Sequence, residues 1–123
     1  MPAGMKPLGW IASTNEQLRD FPDEVRSVIG YALYLAQLGE KHPDAKPLHG
    51  FGGAGVLEVV DDFDGDTYRA VYTVRFADAV YVLHVFQKKA KHGIATPRQD
   101  LALIRQRLQW VEQQHREREG TRR

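Results

Sequence analysis

The chain has 123 residues, 42% of them hydrophobic and 27% charged, with no cysteine and a formal net charge of +1. That length suits one domain with one core, and the lack of cysteine excludes a disulfide framework, a thiolate nucleophile and a thiolate metal site. No apolar run approaches a membrane span and no signal-peptide core opens the chain, so a cytoplasmic protein with no membrane partner is expected.

The small net charge conceals a split. Residues 1–68 carry five basic and eleven acidic side chains, a net of −6, whereas residues 69–123 carry twelve and five, a net of +7. Such asymmetry points to an anionic partner for the second half, nucleic acid above all, although small domains also distribute charge unevenly.

In chain order, Leu8 to Ala12 forms a short apolar strand. Ser13 with Glu16 offers a capping box for a short helix ending near Arg19, stopped by Phe21-Pro22. A second helix starts at Asp23. Val25, Val28, Ile29, Ala32, Leu35 and Ala36 make its apolar stripe, and Gly39 suits the end of it. Gly30 inside that helix costs about 1 kcal/mol against alanine, which points to close packing against another backbone. Residues 40–55 are a Gly/Pro-rich loop. Gly50, Gly52 and Gly55 match the spacing of a dinucleotide fingerprint, but a loop precedes them and a strand from Val56 to Asp61 follows, so that reading fails. Asp62, Asp64 and Asp66 imitate a calcium loop, but the glycine and the closing acid are misplaced, and Asp64-Gly65 is a hairpin turn instead.

Two long strands follow, joined near Ala77–Asp78. Tyr68, Ala70, Tyr72, Val74 and Phe76 alternate with Thr67, Arg69, Val71, Thr73 and Arg75, so one face can be buried while the other carries two arginines about 20 Å apart. Val80 to Gln87 is apolar on both faces, as in a strand covered on both sides, and His84 interrupts it. A turn at residues 77–78 sets Arg69 opposite Phe86 or Gln87, at the end of the sheet where Lys88, Lys89 and Lys91 leave it. Thr96, Pro97 and Gln99 then mark the start of a last helix, whose stripe is Leu101, Ile104, Leu108 and Val111. Arg98, Arg105 and Arg107 point away from that stripe, and the helix frays beyond about Gln114. The order β-α-α-β-β-β-α gives an α+β fold, with residues 1–115 as one domain and 116–123 as a frayed basic tail.

The cations at one sheet end can hold phosphates and stabilise charge growing on one; the plain alternative is a sheet edge kept soluble by charge. His84 titrates in the range of a general acid or base, or is simply a half-buried histidine with a hydrogen bond. His92 is a weaker candidate of the same kind. His42, His49 and His115 have no metal-ligand spacing, and there is no Ser/His/Asp signature or phosphate loop.

The run from Phe21 to Arg107, with FPDEVRSVIGYALYLAQLG, KPLHGFGGAGVLEV, YRAVYTVRF, YVLHVFQKKAKHGIATP and RQDLALIRQRL, resembles the phage-related, HigB-like branch of the RelE/ParE toxins of type II toxin–antitoxin systems. The resemblance implies a RelE-like fold, with two helices on a small, mainly antiparallel sheet and a C-terminal helix. It implies a ribosome-dependent mRNA endoribonuclease, with no metal and no cofactor, in which the ribose 2′-OH attacks the adjacent phosphate. A cognate antitoxin, a small helix-turn-helix protein, would neutralise it. Carried onto this chain, the catalytic roles fall to Arg69, Arg75, His84, Lys88 and Lys89, and RNA contacts to Lys46, Lys91, His92 and Arg98. Val59-Val60-Asp61 stand where many relatives carry a basic residue. Near the C-terminus there is no tyrosine or histidine where some relatives place one, unless His115 reaches back. The alternative within the superfamily is a non-enzymatic, ParE-like inhibitor that binds DNA gyrase, and a decayed or purely structural phage protein is the third.

Overall fold

A computed structural model describes residues 4–53, 55–89 and 95–121. Strand β1 (Leu8–Trp10) is followed by α1 (Thr14–Arg19) and α2 (Asp23–Gln37), then β2 (Ala45–Pro47), β3 (Val56–Phe63), β4 (Asp66–Thr73), β5 (Val80–Lys88) and α3 (Arg98–Thr121). The fold is α+β: a five-stranded sheet of order β1-β5-β4-β3-β2, antiparallel except where β1 runs parallel to β5. Among the described residues, no helix is long and apolar enough to cross a membrane.

Local signals explain most boundaries. After α2 the Glu40 amide donates to the Leu35 carbonyl (2.8 Å) and the Gly39 amide to Ala36 (3.0 Å), while Gly39 turns left-handed with φ +82°. This double bond around a left-handed glycine is the usual way of closing a helix end. Asp64 (φ 52°) and Gly65 (φ 84°) form the two-residue turn between β3 and β4, where Phe63 pairs with Asp66. Both residues need positive φ there, which is why Asp-Gly occupies the turn.

The sheet has a core on each face. Helices α1 and α2 lay Leu18, Val25, Ile29, Ala32, Leu33 and Ala36 over Leu57, Val59, Tyr68, Ala70, Tyr72, Val80, Val82 and Val85. On the other face α3 lays Ile104, Leu108 and Val111 over Val56, Val71 and Leu83, joined by Leu48 and Phe51 from the loop. β4 is therefore buried on both faces, not on one with arginines displayed on the other.

Several sequence expectations change here. Residues 45–47 form a short edge strand within what looked like loop; Pro47 is tolerated because an edge strand need not donate on its outer side. Ser13 stands at the start of α1 but makes no side-chain capping bond. Gly30 is exposed and a Cβ there would meet nothing within 4 Å, so no backbone packs against it. α3 does not fray at Gln114 but continues to Thr121. Its last turns are tied to the sheet through His115 and Arg118, which replace the apolar anchors that end at Val111.

Candidate active site

The geometry of the α3 face turns on one irregularity in β5. Register runs regularly from Thr67↔Lys88 through Arg69↔Phe86 to Val71↔His84, then jumps so that Tyr72 pairs with Val82. Leu83 is the extra residue of a β-bulge. Strict alternation would put His84 on the face of Val80 and Val82; the bulge turns it to the α3 face instead, while Val85 returns to the other core. Bulges re-aim side chains in this way. Such a bulge also leaves a backbone carbonyl short of its ladder partner, and Arg107 supplies one: its Nη1 donates to the Leu83 carbonyl at 2.7 Å.

Cross-strand partners share a face, so Lys46, Glu58, Arg69, His84, Phe86 and Lys88 all lie on the α3 side of four adjacent strands. Two polar knots fasten the start of α3 to them. In the first, the Thr96 hydroxyl donates to Glu58 Oε2 at 2.5 Å and accepts from Arg69 Nη1 at 3.2 Å, with Arg69 Nη1 3.6 Å from the same carboxylate. Thr96 was expected to cap α3, yet its hydroxyl is directed to the sheet. In the second, His84 Nε2 meets Asp100 Oδ1 at 2.8 Å, its Nδ1 lies 3.5 Å from Arg107 Nη1, and its ring stacks on Phe86 at 4.6 Å. Burial pushes the His84 pKa below the ordinary histidine value; the hydrogen bond and charge of Asp100 pull it back upward, and Arg107 lowers it.

The residues expected to act together are therefore divided. Arg69 is 4% exposed and His84 7%, so both are buried beneath the first turns of α3. Lys88 is half-buried at the end of β5 and Lys89 exposed beyond it, and neither makes an ion pair among the described residues. Lys46 is exposed on β2, in a shallow concavity with Asp44, Glu58 and Val60. Arg98 is exposed at the first position of α3. Lys91 and His92 lie outside the described residues. Arg75 stands apart: it shares the face but sits at the opposite end, where its Nη2 donates to the Phe51 carbonyl and its Nη1 lies 3.6 Å from Glu112. Phosphate-holding by Arg69 and Arg75 together is incompatible with that separation.

Sequence reasoning missed Asp100, Thr96, Glu58 and Arg107 as parts of this face, and placed Arg107 pointing elsewhere. It named His115 only as a residue that could reach back, and His115 does reach back to the sheet. His115 Nε2 lies 3.2 Å from the Tyr81 hydroxyl and 3.3 Å from Asp78, and its ring stacks on Phe76 at 4.1 Å. The signal was present: Ile104, Leu108, Val111 and His115 continue one helical stripe.

Fold and site together define a small α+β domain with two helices on one sheet face and, on the other, a long helix pinned by buried polar pairs beside a cationic strand end. The family described as phage derived protein Gp49-like (DUF891) matches residues 16–109, and the chain belongs to that family, a RelE/toxin-like one. Searches of curated proteins and of solved structures gave no significant match.

Proposed function

We propose that this protein is the toxin of a type II toxin–antitoxin pair, of the HigB-like kind, that cuts mRNA on the ribosome in the cytoplasm and is held inactive by a cognate helix-turn-helix antitoxin. The observation that carries this reading is the alignment of Lys46, Arg69 and Lys88 on one sheet face, with Lys88 and Lys89 at its open end, in a chain of a toxin-like family. RNA suits so sparse a site. Its 2′-OH is an internal nucleophile, so attack on the neighbouring phosphate needs orientation and charge stabilisation rather than a protein nucleophile.

In this reading Lys88 and Lys89 contact the phosphates, with Arg98 at the start of α3 and Lys46, three strands away on the same face, as outer contacts. Arg69 and His84 act at one remove: they hold Thr96 and Asp100, and with them the start of α3, in register with the lysines. The positive end of the α3 dipole adds to the field at the same end. Inducing the protein and mapping transcript ends tests the reading. Wild type should cut transcripts and arrest growth, and Lys88→Ala with Lys89→Ala should abolish both while the fold persists. Undiminished arrest by the folded double variant removes the lysines from the mechanism.

One observation favours a second reading, a non-enzymatic inhibitor of the gyrase-binding kind. His84, the expected proton-transfer group, is buried and held by Asp100. Intact transcripts together with trapped gyrase–DNA complexes after induction would decide for the inhibitor.

A further inference from the structure

At the other end of α3 lies a cavity of about 330 Å³, lined by Arg75, Phe76, Asp78, His115, Arg118 and Glu119, for which the reading above has no use. Its volume falls at the low end of the range of small-molecule sites. One wall is aromatic: Phe76 and His115 stack at 4.1 Å with 25° between planes, and Tyr81 meets both edge-on at 5.6 and 5.8 Å. The wall is held from behind, because the Tyr81 hydroxyl accepts from Arg118 Nη2 at 3.0 Å and lies 3.2 Å from His115. The rim carries two guanidiniums with donors to spare, Arg118 being tethered through Nη2 alone and Arg75 through the Phe51 carbonyl and Glu112. Opposite charges complete it. Asp78 is about half exposed and touches His115 through one carboxylate oxygen, while the other has no hydrogen-bond partner among the described residues.

A bare anion would meet two carboxylates here, and an apolar ligand would strand four charges. The arrangement matches a molecule with an anionic end, a flat ring and ring-edge N–H donors. We propose that this cavity is a guanosine-nucleotide site: the phosphate on Arg75 and Arg118, the base against the Phe76–His115 wall, and the N1–H and N2 amino group donating to the free oxygen side of Asp78. Uracil fits worst, because it offers one N–H between two carbonyls, which would face the carboxylates. The nucleotide is either free or one residue of a single-stranded RNA, and the site does not depend on nuclease chemistry.

The test is an amide-resolved NMR titration of the full chain with 5′-GMP, 5′-UMP, inorganic phosphate, and two RNA tetranucleotides, one of uridines and one with a single guanosine. Saturating shifts confined to Arg75, Phe76, Ala77, Asp78, His115, Arg118 and Glu119 are expected with GMP, with UMP about tenfold weaker, the worth of one lost base-edge contact. Arg118→Gln should weaken GMP several-fold, and Asp78→Asn should erase the preference for GMP over UMP while the rest of the spectrum is unchanged. Tight binding of GMP itself identifies a free nucleotide; binding of the guanosine tetranucleotide alone identifies an RNA strand. Equal affinity for GMP and UMP, phosphate binding as well as GMP does, shifts elsewhere, or no binding by any of the five would each overturn the proposal.

Discussion

Replacing Arg69 separates holding the fold from touching the substrate. Arg69 is 4% exposed and its guanidinium is bonded to Thr96, while the Glu58 carboxylate 3.6 Å away belongs to a side chain only 15% exposed. Removing one member of a buried pair leaves an uncompensated charge, at about 3–5 kcal/mol. Glu58 keeps the Thr96 hydrogen bond, so Arg69→Ala belongs near the lower bound, about 3 kcal/mol, which is a large part of a stability of about 5–15 kcal/mol. Urea denaturation reads this directly as a lower midpoint at unchanged slope. Two controls fix the interpretation. Lys88→Ala with Lys89→Ala should stay within about 0.5 kcal/mol of wild type, as substitutions at a strand end outside the core do. Arg69→Met combined with Glu58→Leu should recover much of the loss, because it removes both charges at once. An Arg69→Ala protein within about 1 kcal/mol of wild type would refute the claim that this arginine is a buried fastener.

Three further outcomes follow from individual sites. Gly30 lies exposed in α2 with open space where a Cβ would go, so Gly30→Ala should stabilise by about 0.5–1 kcal/mol in thermal or urea unfolding, and a loss would reveal a contact at that position. Tyr72 is fully buried, burial pushes its pKa up to about 12, and its hydroxyl has no hydrogen-bond partner among the described residues; Tyr72→Phe should therefore raise stability by about 1 kcal/mol, and destabilisation would show that the hydroxyl is bonded. His84 has a folded-state pKa below the unfolded value of 6.5, so the unfolded chain takes up the proton first as pH falls. Stability from this group is complete well above pH 6.5 and declines as pH drops below it. Comparing wild type with His84→Gln between about pH 7.5 and 5.5 isolates the effect, and a wild type that gains stability relative to the variant on acidification would mean that Asp100 outweighs burial.

What the sequence disclosed, and what it withheld, follows from where the chain's signals are redundant. The Asp64-Gly65 turn fixes the β3–β4 register, and Arg69 falls opposite Phe86 as expected, although β4 ends at Thr73 and the six residues 74–79, rather than a turn at 77–78 alone, connect it to β5. The bulge at Leu83 left no trace, because Val80 to Leu83 and Val85 flank His84 with apolar side chains on both faces, so a slip from one face to the other breaks no alternation of polar and apolar residues. That silence hid the whole α3-side cluster: without the bulge His84 belongs to the α1–α2 core, and neither Asp100 nor Arg107 has a reason to face the sheet. The short strand β2 was invisible for a different reason, its three residues being embedded among Gly and Pro and specified only by pairing with Leu57–Val59. The length of α3 was misjudged because polar residues hold its last turns. A histidine stacked on Phe76 and an arginine on the Tyr81 hydroxyl anchor a helix as apolar side chains do, but a count of apolar positions cannot register them.

These polar anchors also explain how one helix can serve both ends of its sheet face. Ile104, Leu108 and Val111 fix α3 at its centre without specifying its position along the strands, since apolar contact is non-directional. The two ends supply direction. Thr96 and Asp100 engage Glu58, Arg69 and His84 beside the lysines, and His115 and Arg118 engage Asp78 and Tyr81 beside the cavity. Between them Arg107 grips the Leu83 carbonyl at the bulge, so a shift of α3 by one turn would strip that carbonyl, the Glu58 carboxylate and the Tyr81 hydroxyl of their partners on and just before α3 together. Each loss costs about 1–3 kcal/mol where the group is buried, more in sum than a register defined by three aliphatic side chains would resist. The placement of the lysine end relative to the aromatic cavity is thereby fixed by hydrogen bonds rather than by packing.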